Sequence, residues 1–172
     1  FLNVIDYDLS RYIFYSQIKK GFLGFELDAK FDDFNQNIIS YFITGSVDNA
    51  KLNIVGYENL NDINFNFQAQ KEMVKISDLK FNYNKISFLS KSLKVEPKKS
   101  GKYYIEGDIG NIKALINPNL IFKLTNIKQD YLSGRDVLFE SKNIFSFEFN
   151  QNKKIKNLKI DSVLNFDKIF FN

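Results

Sequence analysis

Apolar and polar residues alternate along most of this chain. In GFLGFELDAKF, Phe25, Leu27, Ala29 and Phe31 point one way while Gly24, Glu26, Asp28 and Lys30 point the other. Successive side chains of an extended backbone lie on opposite faces, so a period of two predicts a strand with one apolar and one wet face. Ile39, Tyr41 and Ile43 begin a second strand, and Val47, Ala50, Leu52 and Ile54 suggest another after a turn at Ser46 to Asn49. Farther on, Ile63, Phe65, Phe67 and Ala69 alternate with Asn64, Asn66 and Gln68, and a turn near Gln70 to Glu72 leads into Val74 and Ile76. There the parity switches, because Leu79, Phe81 and Tyr83 carry odd numbers. One extra residue near Ser77-Asp78 repairs the pattern, which predicts a β-bulge.

Further strands are expected at 85–95, 102–109, 135–141, 144–150, 154–161 and 163–170, separated by turns marked with Asn, Lys and Gly. Short links between successive strands imply antiparallel neighbours. Two segments break the period. DLSRYIFYSQIKKG puts Leu9, Tyr12 and Ile13 on one helical face, with Asp8 as N-cap and Gly21 as stop. NPNLIFKLT sets Pro118 at a first helical position, good for a turn or two of helix. The fold expected is mainly β: an elongated, curved antiparallel sheet, groove-like and built of repeats, with one or two short helices. It divides into a helical lead-in at 1–20, a first β-repeat region at 21–110 and a second at 111–172. Both ends lie in apolar stretches, FLNVID and DKIFFN, so the chain reads as a segment of a longer one.

The repeat is visible in two stretches. Ile63, Phe65 and Phe67 have counterparts in Phe145, Phe147 and Phe149, and KISDLKF at 75–81 has one in KIKNLKI at 154–160. Two hairpins on one plan point to a repeat array rather than a closed globule.

Composition removes most chemistry. The chain of 172 residues has no cysteine and no histidine, hence no disulfide, no thiolate site and neither the commonest general base nor the commonest metal ligand. The net charge of +4 comes from scattered lysines, with only Arg11 and Arg135 as arginines, so no nucleic-acid partner is expected. Asp6, Asp8 and the pair Asp32-Asp33 have spacings that suit solvated faces better than a dyad or metal site. GDIG at 107–110 lacks the helices of an RNA-binding loop, and KSGK at 99–102 lacks phosphate-loop spacing. Neither an enzyme nor a cofactor is expected.

What remains is the aromatic load, nineteen Phe and nine Tyr, concentrated on the apolar side of the strands. A sandwich core and an open face that receives an apolar ligand both need such a side, and periodicity does not separate them. An outer-membrane β-barrel also alternates, with strands of about 9–11 residues and aromatic girdles at the strand ends. Here Phe sits mid-strand and the strands read as shorter, which favours the open groove over the barrel.

The run YFITGSVDNAKLNIVGYENLNDINFNFQAQKEMVKISDLKFNYNKISFLS resembles the repeat units of the AsmA-like (TamB/YhdP-type) envelope proteins. The likeness lies in a Gly-led strand from Gly45, an "NA-x-L" strand at Asn49 to Leu52, the LNDINFNF strand and "I-x-D-L-x-F" at Ile76 to Phe81; residues 139–162 fit the same style. The resemblance implies an envelope protein of Gram-negative-type bacteria, held in the inner membrane by an anchor outside this segment and extended through the periplasm. Its apolar groove would carry phospholipids between the membranes. The lining implied here is Phe25, Leu27, Ala29, Phe31, Ile63, Phe65, Phe67, Phe81, Phe147 and Phe149, with acyl chains as the partner and no catalytic or metal site.

Overall fold

The computed structural model describes residues 18–33, 37–53, 59–98, 101–117, 119, 136–150 and 154–167. They form a single open sheet of eight antiparallel strands in the order β1 to β8. The strands are β1 (Ile18–Phe31), β2 (Ile38–Leu52), β3 (Leu60–Gln70), β4 (Met73–Tyr83), β5 (Ile86–Lys98), β6 (Lys102–Ile116), β7 (Val137–Asn150) and β8 (Ile155–Phe166). Each strand pairs with its neighbours in sequence, so the chain is a meander. Two-residue links are visible where they are tightest: Asn84 and Lys85 join β4 to β5 with φ of 50° and 64°. Positive φ at both central residues matches the right-handed twist of the flanking strands, and Asn adopts it readily.

The bulge expected near Ser77-Asp78 is present. Asn66 pairs with Ser77 and Asn64 with Lys80, leaving one extra residue in β4, and Asp78 has a φ of 54°. The echoed motif does the same: Ser146 pairs with Lys159 and Glu148 with Lys156, and Asn157 has a φ of 53°. Asn49 (φ 53°) and Asp62 (φ 52°) sit at two further register shifts. Each of these residues precedes an apolar one, in N-A-K-L, D-I-N-F, D-L-K-F and N-L-K-I. Asn and Asp tolerate the left-handed region better than other residues with a Cβ, which makes them suitable bulge formers.

Four expectations need correction, three of them for one reason. The turn expected at Ser46 to Asn49 is a bulge inside a continuous β2. Strands 135–141 and 144–150 are one strand, β7, and the described part of 154–161 and 163–170 is one strand, β8. Polar residues that look like turn formers are here bulged or paired within the sheet: Asn143 lies opposite Ile109 and Ser162. The strands consequently run to 11–15 residues, so the short-strand argument against a barrel fails. Among the described residues β1 and β8 form no ladder with each other, so the eight strands make an open sheet.

The fourth correction concerns the first helix. Ile18 to Gly21 belong to β1, and Ile18 pairs with Leu52. Gly21 is no helix stop; it has a φ of 144°, and a Cβ there would come within 2.9 Å of Ala50. The remainder of that helix lies outside the described residues, as does the second short helix except for Asn119. The boundary drawn at residues 110 and 111 falls within β6.

Candidate functional site

Following the pairings across the sheet assigns every strand position to one of two faces. On one of them, Leu27, Ile43, Ala69, Val74, Val95, Ile105 and Phe147 are successive cross-strand partners from β1 to β7. A second row, Phe25, Gly45, Phe67, Ile76, Leu93, Gly107, Phe145 and Ile160, crosses all eight strands. Neither row contains a polar side chain. At about 4.8 Å per strand, eight strands give a track roughly 33 Å long, perpendicular to the strands.

Two glycines keep the second row level. A Cβ on Gly45 would meet the Phe67 ring at 2.7 Å, and one on Gly107 would meet Leu93 Cδ2 at 2.5 Å. The larger neighbours therefore use the space a side chain would occupy. Aromatic pairs consolidate the face: Phe81 stacks on its partner Phe88 with centroids 5.3 Å apart, and Phe145 lies 6.0 Å from Phe147. Such pairs contribute about 0.5–1.5 kcal/mol beyond burial.

The ten residues expected to line the groove are brought to this face. Phe25 is 52% exposed, Leu27 42% and Phe31 56%, whereas Ile63 is buried. Ala29, Phe65, Phe67, Phe81, Phe147 and Phe149 are half-buried against their lateral neighbours. The opposite edge adds exposed Ile155, Leu158, Ile160 and Leu164. Sequence reasoning omitted Ile43, Ile76, Leu93, Ile105, Phe145 and Ile160 from the lining. Period-two alternation marks them as apolar positions, but only the register shows that they line up.

The face is not uniformly open or uniformly apolar. At one end Ile86, Ile116, Val137 and Phe139 form a buried cluster with Phe88 and Ala114 packed against it. Between that cluster and the two rows lies a polar group on β5 to β7. Asn111 accepts a bond from Ser141 Oγ and donates to the Phe139 carbonyl at 3.2 Å; Asn143 donates to the Ile109 carbonyl at 2.9 Å. Ser90, beside them on β5, is buried, and its hydroxyl has no hydrogen-bond partner among the described residues.

The other face is mainly polar, and its Asn and Asp side chains serve the bulges. Asn64 Oδ1 accepts from the Asn49 amide at 3.0 Å, Asn66 Nδ2 donates to Asp78 at 3.3 Å, and Asn82 Nδ2 donates to Asp62 at 2.9 Å. Asp108 accepts from the amides of Lys91 and Ser92. Lys94 and Lys98 each contact Glu96 at 2.6 Å, and their hydrogen bonds hold its carboxyl well below the usual range, at about 2. The same bond, with further help from Glu106, raises the Lys94 pKa. A shallow depression of about 600 Å³ opens on this face, bordered by Lys94, Tyr104, Glu106, Asp108, Lys159 and Asp161. Ile144, Phe145 and Ile160 also border this depression, so its lining mixes charged and apolar groups. This face also carries Phe22, Ile112, Leu115 and Ile144, all exposed.

No cluster of three or more acidic residues suited to a metal ion occurs among the described residues. No helix among them is long and apolar enough to cross a membrane. Comparison with protein-family models, with curated proteins and with solved structures gives no match.

Proposed function

We propose that the apolar face holds hydrocarbon, and that its ligand is the acyl chains of phospholipids. The observation that carries this reading is the pair of uninterrupted apolar rows, with exposed members at both ends of the track. Each methylene removed from water there contributes about 0.8 kcal/mol, without any need for a specific contact. A row running across the strands also gives a tail equivalent positions along its length, which suits movement better than tight selection. The buried end around Ile86 and Val137 is assigned to packing and not to ligand.

The resemblance to AsmA-like proteins extends the proposal to a setting. The chain would be a segment of a periplasmic envelope protein, anchored in the inner membrane through a region outside this segment, passing phospholipid between inner and outer membranes. No catalytic step and no nucleic acid belongs to this reading. The test is lipid retention by chain purified from bacterial membranes, read by native mass spectrometry. Phe25→Asp and Ile160→Asp, both at exposed row positions, are expected to reduce bound phospholipid several-fold while leaving the β circular dichroism unchanged. Retention equal to wild type in both variants, or no phospholipid on wild type, would count against the proposal.

A further inference from the structure

We propose that the depression on the polar side of β5 to β8 binds a small zwitterion, an aminoalkyl phosphate, with its phosphate at Lys159 and its ammonium at Asp161. The volume of about 600 Å³ lies within the range of small-molecule clefts, about 300–1,000 Å³. One wall is already satisfied. Asp108 accepts from the amides of Lys91 and Ser92 at 3.1 and 2.9 Å, and Glu106 accepts from Tyr104 Oη at 3.2 Å. Lys94 lies 3.7 Å from Glu106 and 2.6 Å from Glu96. The other wall is open: among the described residues Lys159 and Asp161 make no ion pair, and the hydroxyls of Ser92 and Ser146 make no hydrogen bond. Lys159 and Asp161 stand two residues apart on one strand face. That same spacing closes on β5, where Glu96 takes both Lys94 and Lys98 at 2.6 Å.

The register sorts the charges across the depression. Lys94, Glu106, Ser146 and Lys159 are successive cross-strand partners, a row with two cations and one anion. Asp108, Ile144 and Asp161 form the adjacent row, which has no cation. Two residues along a strand separate the rows by about 6.8 Å. A phosphate beside Lys159 meets a charge of opposite sign, with the Ser146 hydroxyl opposite as a second donor. An ammonium in the adjacent row meets Asp161. Ile144, 66% exposed between the two, offers apolar surface to the methylenes that join the charges. A lone anion would gain Lys159 but face Asp161, and a lone cation the reverse, so a ligand with both charges is favoured over either half. The inference stands apart from what the apolar face binds, because Lys159, Asp161 and Ser146 belong to the opposite face.

Amide chemical shifts of the isotope-labelled chain, titrated with phosphoethanolamine, test the site. Saturable shifts are expected at Ser92, Ser146, Lys159 and Asp161, while Asn64 and Asn66, elsewhere on the polar face, stay in place. Inorganic phosphate and ethanolamine, each added alone, are expected to bind about tenfold more weakly. Lys159→Gln and Asp161→Asn should each weaken phosphoethanolamine about three- to tenfold and leave the β circular dichroism unchanged. Glycerophosphoethanolamine separates the two sources of this chemistry: tighter binding of that diester assigns a lipid headgroup, and tighter binding of the monoester assigns a free metabolite. No saturable shift with either ester would overturn the proposal. So would phosphate alone binding as tightly as phosphoethanolamine, which marks a surface lysine attracting anions, or wild-type affinity in both variants.

Discussion

Replacing Asp78 tests how the apolar face keeps its parity. The extra residue in β4 lets Leu79, Phe81 and Tyr83 share a face with Val74 and Ile76, and Asp78 holds that position with a φ of 54°. A residue with a Cβ loses about 1–2 kcal/mol in this region, less for Asp and Asn, whose short polar side chains find local partners. Here the partner is Asn66 Nδ2 at 3.3 Å, an exposed bond that contributes about 0.5–1 kcal/mol. Asp78→Ala keeps the strained backbone and loses the bond, so it is expected to cost about 1–2 kcal/mol. Asp78→Gly loses the bond but relieves the backbone, since glycine adopts positive φ freely, and should stay within about 0.5 kcal/mol of wild type. For a chain of this size each kcal/mol shifts the melting midpoint by about 2–4 °C. Alanine should therefore lower it by about 2–8 °C and glycine by about 2 °C at most, in thermal unfolding followed by circular dichroism. Asn157, in the echoed motif, should give the same order. Equal losses for alanine and glycine would show that the side chain, and not the backbone conformation, maintains the bulge. No loss for alanine would refute the reasoning.

Other expectations concern polar groups and glycines in the sheet. Ser90→Ala removes a buried hydroxyl without a hydrogen-bond partner among the described residues and should be neutral or stabilising by about 1 kcal/mol, while Asn111→Ala strands Ser141 and the Phe139 carbonyl and should cost about 2–3 kcal/mol in urea unfolding. Gly107→Ala would drive a Cβ into Leu93 and the Ser92 carbonyl, both at 2.5 Å, for an expected loss of about 1–3 kcal/mol by the same measurement. Glu96 has its folded pKa lowered, so its ion pairs support the fold above the ordinary carboxylate range and lose that support as pH falls towards about 2. An NMR titration should place its midpoint near 2, rising towards 4.5 when Lys94 and Lys98 are both replaced by Met.

Alternation made the strand type, the single apolar face and even one bulge legible, because the two-residue period has a direct geometric meaning. Strand lengths were not, since Asn49, Ser141 to Asn143 and Asp161-Ser162 look like turns in sequence and are bulged or paired in the sheet. An asparagine that caps a bulge and one that starts a turn satisfy backbone groups in the same way, so the residue type alone does not distinguish them. The site was half legible for a related reason. Each candidate residue could be assigned to a face within its own strand, but the two long rows arise from register between strands. Gly45 and Gly107, which carry no side chain to mark a face in sequence, are the positions that let Phe67 and Leu93 complete a row.

The most direct test of the central claim is photo-crosslinking in cells from paired positions on the two faces. A photoreactive residue at Phe65, or at Phe147 on the other half of the sheet, should capture phospholipid, while one at Asn64 or Gln68 should not. Capture from Asn64 and Gln68 alone, or from none of the four, would contradict the assignment of the apolar face to hydrocarbon.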